Sequence, residues 1–249
     1  MTPRPVLPPA FRPVAVAPGP DPFEQAQVAA VRGAEDGTLL WSMREDALDA
    51  AVVLIPETSL EGALPVVYAA LVGLGDCLGA LLPPQVAVTF GWPDRLELNG
   101  AVAGGVRVAA PAPTAGEKPA WIVLGVTVAV GNAPGGAHEP GHDLRRTTVH
   151  DEGGGGLTAV DLLEAFGRHF LNWVDRWQED GFRPLRDAYL SRATGFGTPL
   201  RLDLDGEGYE GAFMGLTATG GLLLAGHGAT RIIALGRALR RPTWVRPPG

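Results

Sequence analysis

The sequence is short of several residue types on which common chemistries depend. It has one cysteine, Cys77, which excludes an intramolecular disulfide framework and a cysteine-based zinc cluster. Cys77 sits in an apolar helical pattern and reads as a small buried hydrophobe rather than a nucleophile. Lys118 is the single lysine, and the remaining basic residues are arginines. Lysine-dependent chemistry therefore has one candidate, in a loop. No run of about 20 apolar residues stands out to span a bilayer. The first residues lack the basic-then-apolar order of a secretory leader. We therefore expect a cytoplasmic protein without a membrane partner. With a formal net charge of −7 the chain lacks the concentrated basic face that phosphate backbones require, so nucleic acid is not expected as a partner. Ser42, Ser59 and Ser191 lie in no nucleophile-elbow pattern.

What the chain does have is an apolar content of 46% over 249 residues, enough for one large domain or one medium and one small. Its 35 glycines and 23 prolines predict many short, sharply bounded elements. After a proline-rich start, residues 14–17 read as a first strand. Asp21-Pro22 resembles an N-cap with proline at the first helical position, opening a helix to about Arg32 that Gly33 ends. Residues 38–42 and 50–56 read as strands, joined by the seven residues from Met43 to Asp49. A helix from Leu60 to about Leu82 follows, with Leu60, Leu64, Val67, Leu71, Leu74 and Leu78 on one face, and Pro83-Pro84 stop it.

The stretch from Gln85 to Val108 organises the centre of the chain. Val86, Val88 and Phe90 alternate as in a half-buried strand. Trp92-Pro93-Asp94 interrupts, Leu96 and Leu98 resume, and Asn99-Gly100 supplies a tight hairpin turn. Gly104-Gly105 then leaves backbone bare of side chains where a ligand can approach. Trp121 to Val130 is a nearly continuous apolar strand suited to a sheet covered on both faces. A glycine-rich loop from Gly131 to Gly156 holds His138, His142 and His150 with Glu139, Asp143 and Asp151. These are suitable metal ligands by type, but they lie in a loop, and a solvated polar loop is the preferred reading. A metal-dependent hydrolase would need His138 and His142 within ligand distance of each other. Thr158-Ala-Val-Asp161 resembles a capping box opening a helix with Leu162, Phe166, Phe170, Trp173 and Trp177 on one face, and Gly181 ends it. Four short strands then recur, at residues 199–204, 208–213, 221–225 and 230–235, and predict a small β-barrel. The boundary falls near residue 195, giving segments 1–195 and 196–249.

The order Trp-Pro-Asp, short strand, Asn-Gly, Gly-Gly, strand resembles the biotin/lipoate protein ligase family, and the succession of elements is similar over most of the chain. The resemblance is to a biotin protein ligase without a DNA-binding domain. It implies an α/β (α+β) fold with a mixed central sheet and helices, followed by a small C-terminal β-barrel. It also implies that the hairpin forms one wall of an acyl-adenylate pocket. ATP and biotin or lipoate would be the cofactors, a small carboxylic acid the ligand, an acyl carrier or biotinyl/lipoyl domain the macromolecular partner, and a homodimer a possible assembly. The ligand-binding residues implied are Arg44, Trp92, Pro93, Asp94, Arg95, Gly104, Gly105 and Arg107. No catalytic residue is assigned and no metal is expected.

The chain departs from the family pattern at each charged position of the pocket. Arg44 stands in the acidic segment Met43–Asp49, where the family has a Gly-Arg-Gly-Arg loop. Asp94-Arg95 replaces Asn-Asp, Val102 replaces the lysine before Gly-Gly, and Thr127 and Ala129 replace a glycine and an asparagine. An acidic segment repels a triphosphate. Two expectations follow: a divergent ligase or acyltransferase, or a catalytically inactive ligand- or carrier-binding protein of the same fold. Convergence of Arg44, Arg95 and Arg107 on one pocket is the feature that separates them.

Overall fold

The computed structural model describes residues 5–111, 114–131, 145–226 and 228–247. A seven-stranded mixed sheet is built from β1 (Arg12–Val16), β2 (Thr38–Ser42), β3 (Ala47–Leu54), β4 (Val88–Gly91), β5 (Arg95–Leu98), β6 (Ala101–Ala109) and β7 (Ile122–Ala129). Its order is β1-β2-β3-β7-β6-β5-β4. β1 and β2 run parallel and every other pair is antiparallel.

Helices cover the sheet where the apolar pattern requires. α1 (Pro22–Val31) begins where Asp21 accepts a hydrogen bond from the Phe23 amide, with proline next to the cap as the sequence predicts. It covers one face over Ala51, Val53 and Val123. On the other face, α2 (Leu60–Ala63), α3 (Val66–Leu81) and α4 (Ala159–Asp180) pack with α5 (Phe182–Leu190) on the main core, which includes Ala50, Val52, Val106 and Val126. Thr158 and Asp161 form the expected reciprocal capping box of α4. Strand side chains alternate between faces, so these two apolar sets are consecutive residues of the same strands.

Three differences from the sequence reading shape the architecture. The helix expected from Leu60 to Leu82 is two helices, because Pro65 has no amide N–H to continue the first ladder and instead caps the second. Together they are long and apolar enough to cross a membrane, yet they are mostly buried in the core. β3 begins at Ala47 rather than Ala50, so Asp49 belongs to the sheet and the β2–β3 connection shrinks to residues 43–46. Finally, β8 (Pro199–Leu204), β9 (Glu207–Leu216), β10 (Leu222–Ala225) and β11 (Thr230–Ile233), followed by α6 (Leu235–Ala238), form an open antiparallel meander in the order β11-β10-β9-β8. The expected barrel does not close. Four strands of 4 to 10 residues are too few to curl around a filled interior. Their apolar face, with Phe213, Leu222, Leu224 and Ile233, joins the main core instead.

One hydroxyl ties the two sheets together. Trp92 follows β4 and precedes Pro93 across a cis peptide bond. Its indole Nε1 donates to Tyr68 Oη at 2.9 Å, and Tyr68 Oη donates to the Gly220 carbonyl at 2.6 Å. Tyr68 lies on α3 and Gly220 in the β9–β10 turn. Tyr189 of α5 packs edge-on to Tyr68 and stacks on Phe90, but its own buried hydroxyl has no partner among the described residues. Residues 192–194 then run along the edge of β4, where the Phe90 amide donates to Arg192 O and the Thr194 amide donates to Phe90 O.

Tyr68→Phe leaves a buried N–H and a buried carbonyl without a partner. It should lower the unfolding free energy in urea by about 2–6 kcal/mol, at about 1–3 kcal/mol for each orphaned group. Tyr189→Phe removes a hydroxyl that has no bond to lose and should be neutral or mildly stabilising in the same assay.

Candidate functional site

Three residues form a row across the sheet on the face that carries α1. Asp49 of β3 is in register with Thr127 of β7, and Thr127 is in register with Gly105 of β6. They share the parity of Ala51, Val53 and Val123, the residues beneath α1. α1 covers only part of this face. The row is covered instead by the segment Thr243–Pro247, which follows α6 and arrives from the far end of the sequence.

Each contact of that segment is specific. The Thr243 amide donates to Asp94 Oδ2 at 2.9 Å and the Thr243 hydroxyl donates to Asp94 Oδ1. The Trp244 indole Nε1 donates to the Val106 carbonyl at 3.1 Å, and the ring lies on Gly105. A Cβ at Gly105 would fall 2.4 Å from Trp244 Nε1 and 2.3 Å from Asp94 O, so only glycine admits the indole here. Arg246 Nε donates to Asp49 Oδ2 at 2.7 Å, and Nη2 of the same guanidinium donates to that oxygen as well. Arg44 Nη1 donates to the Pro247 carbonyl at 3.2 Å, and Arg146 Nη2 to the Val245 carbonyl at 3.0 Å. Trp244 is 6% exposed, whereas Val245 points outward at 69%.

The charges around the row are matched in sign. Arg44 donates through Nε and Nη2 to both oxygens of Asp46 at 2.7 and 2.5 Å, and its Nη1 is 4.0 Å from Asp49. Arg107 forks onto both oxygens of Asp21 at 2.7 and 2.9 Å and lies over the Phe23 ring. Arg246 sits between them, on Asp49 and 4.0 Å from Asp21. The buried Asp49 carboxylate also accepts from the Thr127 hydroxyl at 3.0 Å. Hydrogen bonds from Arg44 hold the Asp46 carboxyl below the usual carboxylate range and raise the Arg44 guanidinium. For Asp21, burial pushes the carboxyl up, but the bonds and charge of Arg107 outweigh it and the net direction is down. With Arg146 on the Val245 carbonyl and Asp94 beneath Thr243, four arginines stand with four aspartates among the described residues.

The residues nominated from the sequence divide into three groups. Arg44, Asp94 and Gly105 touch the 243–247 segment directly, and Arg107 joins the same cluster through Asp21. Arg95 does not converge with Arg44 and Arg107. It pairs instead with the buried Glu97 at 3.3 Å, which also accepts from Thr194 at 2.6 Å. Trp92 and Pro93 form the buried turn that reaches Tyr68, and Gly104 packs where a Cβ would meet the Thr127 carbonyl at 2.0 Å. Cys77 is fully buried and its thiol is pushed up to about 12 by burial, consistent with a packing role. His138, His142, Glu139 and Asp143 lie outside the described residues, and among the described residues no cluster could hold a metal ion. Sequence reasoning missed Asp49, Thr243, Trp244 and Arg246. The signal was an isolated tryptophan and arginine between Pro242 and Pro247, in a stretch otherwise without an apolar pattern.

Asp94 is 1% exposed, and burial pushes its carboxyl up to about 6 from 3.8, against the opposing pull of the two Thr243 bonds. The folded state therefore binds this proton more tightly than the unfolded chain, and the contribution of Asp94 to stability falls as pH rises from about 4 to about 6. In urea titrations across pH, the stability of the parent relative to Asp94→Asn should fall by about 3 kcal/mol between pH 3.5 and pH 7.5, at about 1.4 kcal/mol per pKa unit. A difference that stays flat with pH would contradict the buried, ionising carboxylate.

With this geometry in hand, the comparisons with known proteins are consistent in direction. Residues 7–191 match the profile of the Biotin/lipoate A/B protein ligase family. A biotin–[acetyl-CoA-carboxylase] ligase of Paracoccus denitrificans is 27% identical over 193 residues, covering 78% of this chain and 80% of that protein. A biotin protein ligase-like protein of unknown function from Silicibacter superposes with a TM-score of 0.84 at 32% identity, covering 96% of this chain and all of that one. The biotin protein ligase of Aquifex aeolicus superposes with a TM-score of 0.72 at 16% identity, over 91% of this chain and 97% of that one, and so shares the fold. With the family profile spanning most of its length, the chain belongs to the biotin/lipoate protein ligase family.

Proposed function

We infer that this protein binds a small carboxylic acid of the biotin type on the Asp49–Thr127–Gly105 face, and that it is a ligand-binding member of the family rather than an ATP-dependent ligase. The observation that carries the reading is the chemistry of the groups around the row. Asp49, the Val106 carbonyl and Asp94 all accept hydrogen bonds, from Arg246, Trp244 and Thr243 respectively. Arg44 supplies the opposite chemistry, a donor reaching a carbonyl oxygen. A ligand matching this pattern combines planar N–H donors with an acceptor. Biotin has ureido N–H groups and a carboxylate. Lipoate and octanoate have the carboxylate but no N–H donor, and a buried acceptor left unpaired opposes their binding.

ATP does not fit the residues present. A triphosphate needs cations in excess of local carboxylates, and Arg44, Arg107 and Arg246 are matched by Asp21, Asp46 and Asp49. Val102 supplies only apolar surface where the family resemblance implies lysine. No adenylation step is assigned to this chain. A carrier-domain partner would therefore meet a protein that holds the acid without activating it.

A thermal-unfolding screen tests the reading directly. Biotin at a hundred times its dissociation constant should stabilise the fold by about 2.7 kcal/mol, whereas lipoate, octanoate and ATP at the same concentrations should give much smaller shifts. Equal stabilisation by octanoate would remove the case for N–H recognition. Stabilisation by ATP alone, with formation of an acyl-adenylate, would restore the ligase.

A further inference from the structure

We propose that the segment Thr243–Pro247 is a built-in competitor for the acid site, docked on the sheet in the absence of ligand and displaced when ligand binds. The proposal rests on the reading of the site given above, and goes beyond it in assigning a regulatory role to a segment of the same chain.

Four observations support it. First, the segment fills the place that a ligand would occupy. Gly105 lacks a side chain where close approach is needed, and the Trp244 indole makes that approach. Second, the segment satisfies the site with its own donors and acceptor. Arg246 places a guanidinium on Asp49, Trp244 an indole N–H on the Val106 carbonyl, and Pro247 a carbonyl on Arg44. These are the donors and the acceptor that a bound acid would bring. Third, the segment is attached without secondary structure. Residues 243–247 belong to no helix and pair with no strand. Among the described residues seven hydrogen bonds hold them, each involving a side chain on one side or the other. Such bonds can be exchanged for bonds to ligand or water without unravelling a ladder. Fourth, Arg240 is held by Asp205 at 2.6 Å, while Arg241 and Pro242 beyond it are exposed, so the segment can swing about residues 241–242 without disturbing Leu235 or Ala238, which anchor α6 in the core.

In the docked state Arg246 completes the charge balance of Asp49. When it leaves, Asp49 keeps the Thr127 hydroxyl and the nearby Arg44, and an incoming N–H donor takes over its remaining lone pairs. The docked segment lowers apparent affinity by the fraction of molecules that are closed. Weakening the segment without altering the sheet should therefore tighten ligand binding.

The test uses the full chain. Biotin is titrated calorimetrically into the parent, Trp244→Ala and Arg246→Gln, with folding of each checked by its melting transition. Arg246→Gln retains a donor for Asp49 and serves if Trp244→Ala unfolds. In parallel, hydrogen exchange of residues 243–247 is followed in the parent with and without saturating biotin. The expected result is at least a tenfold tighter apparent dissociation constant in the variants, and faster exchange of the segment in the biotin-saturated parent. Equal affinity in parent and variants, with unchanged exchange of the segment, overturns the competitor and leaves biotin binding in place. Absence of biotin binding in all three proteins overturns the acid-binding reading and the competitor with it, and the two failures are told apart by whether the parent binds.

Discussion

A carboxylate buried on the face of a β-sheet is the constraint to which this molecule answers. Asp49 is 2% exposed, and an ionised group so placed is tolerated only when its lone pairs and charge are met. Thr127 meets it from the neighbouring strand, and Arg246 meets it from nearly two hundred residues away. Arg246 in turn brings Trp244 onto Gly105 and Thr243 onto Asp94. Removing one partner from such an arrangement costs far more than the pair contributes. Asp49 therefore requires a donor on this face, and in the docked state Arg246 supplies it and sets the path of the 243–247 segment.

The same logic of matched polar groups joins the two sheets. The apolar faces of the seven-stranded and four-stranded sheets merge in a common core, and apolar contact alone is indifferent to small rotations. The bonds from Trp92 to Tyr68 and from Tyr68 to Gly220 are directional and fix the approach of the β9–β10 turn to α3. The Trp-Pro turn, read in sequence as a pocket wall, sits where it orients one sheet against the other.

Most of the fold was legible because its signals are local. Asp21-Pro22 and Thr158–Asp161 mark helix starts through hydrogen bonds within three residues, and the alternation through Val88 to Val108 marks strands by a period of two. The four strands of the second sheet were found as strands, but closure depends on how many edges can meet, which no single strand encodes. Pro65 was hidden by the strong leucine periodicity on both sides of it. In the candidate site, the glycine at 105 and the aspartate at 94 were readable because backbone exposure and turn chemistry are local. Their partners were not. Nothing near Arg246 indicates Asp49, since ion pairing across the fold leaves no pattern in either neighbourhood. The segment at residues 43–49 read as acidic with Arg44 as its one cation, but Asp46 pairs with Arg44 and Asp49 with the distant Arg246.

The edges of the central sheet carry a further consequence. At one end, residues 192–194 bond along β4. At the other, the Arg12 amide and the Val16 carbonyl are both used on the β2 side, by Gly37 and Met43, so the intervening residues Pro13 and Ala15 face outward. Proline has no N–H to give, and Ala15 is left as the single outward amide donor of β1. A strand from another chain would find too few donors to extend the sheet on that side and an occupied border on the other. The central sheet thus offers little to strand addition at either edge, and the open edges β8 and β11 belong to the smaller sheet.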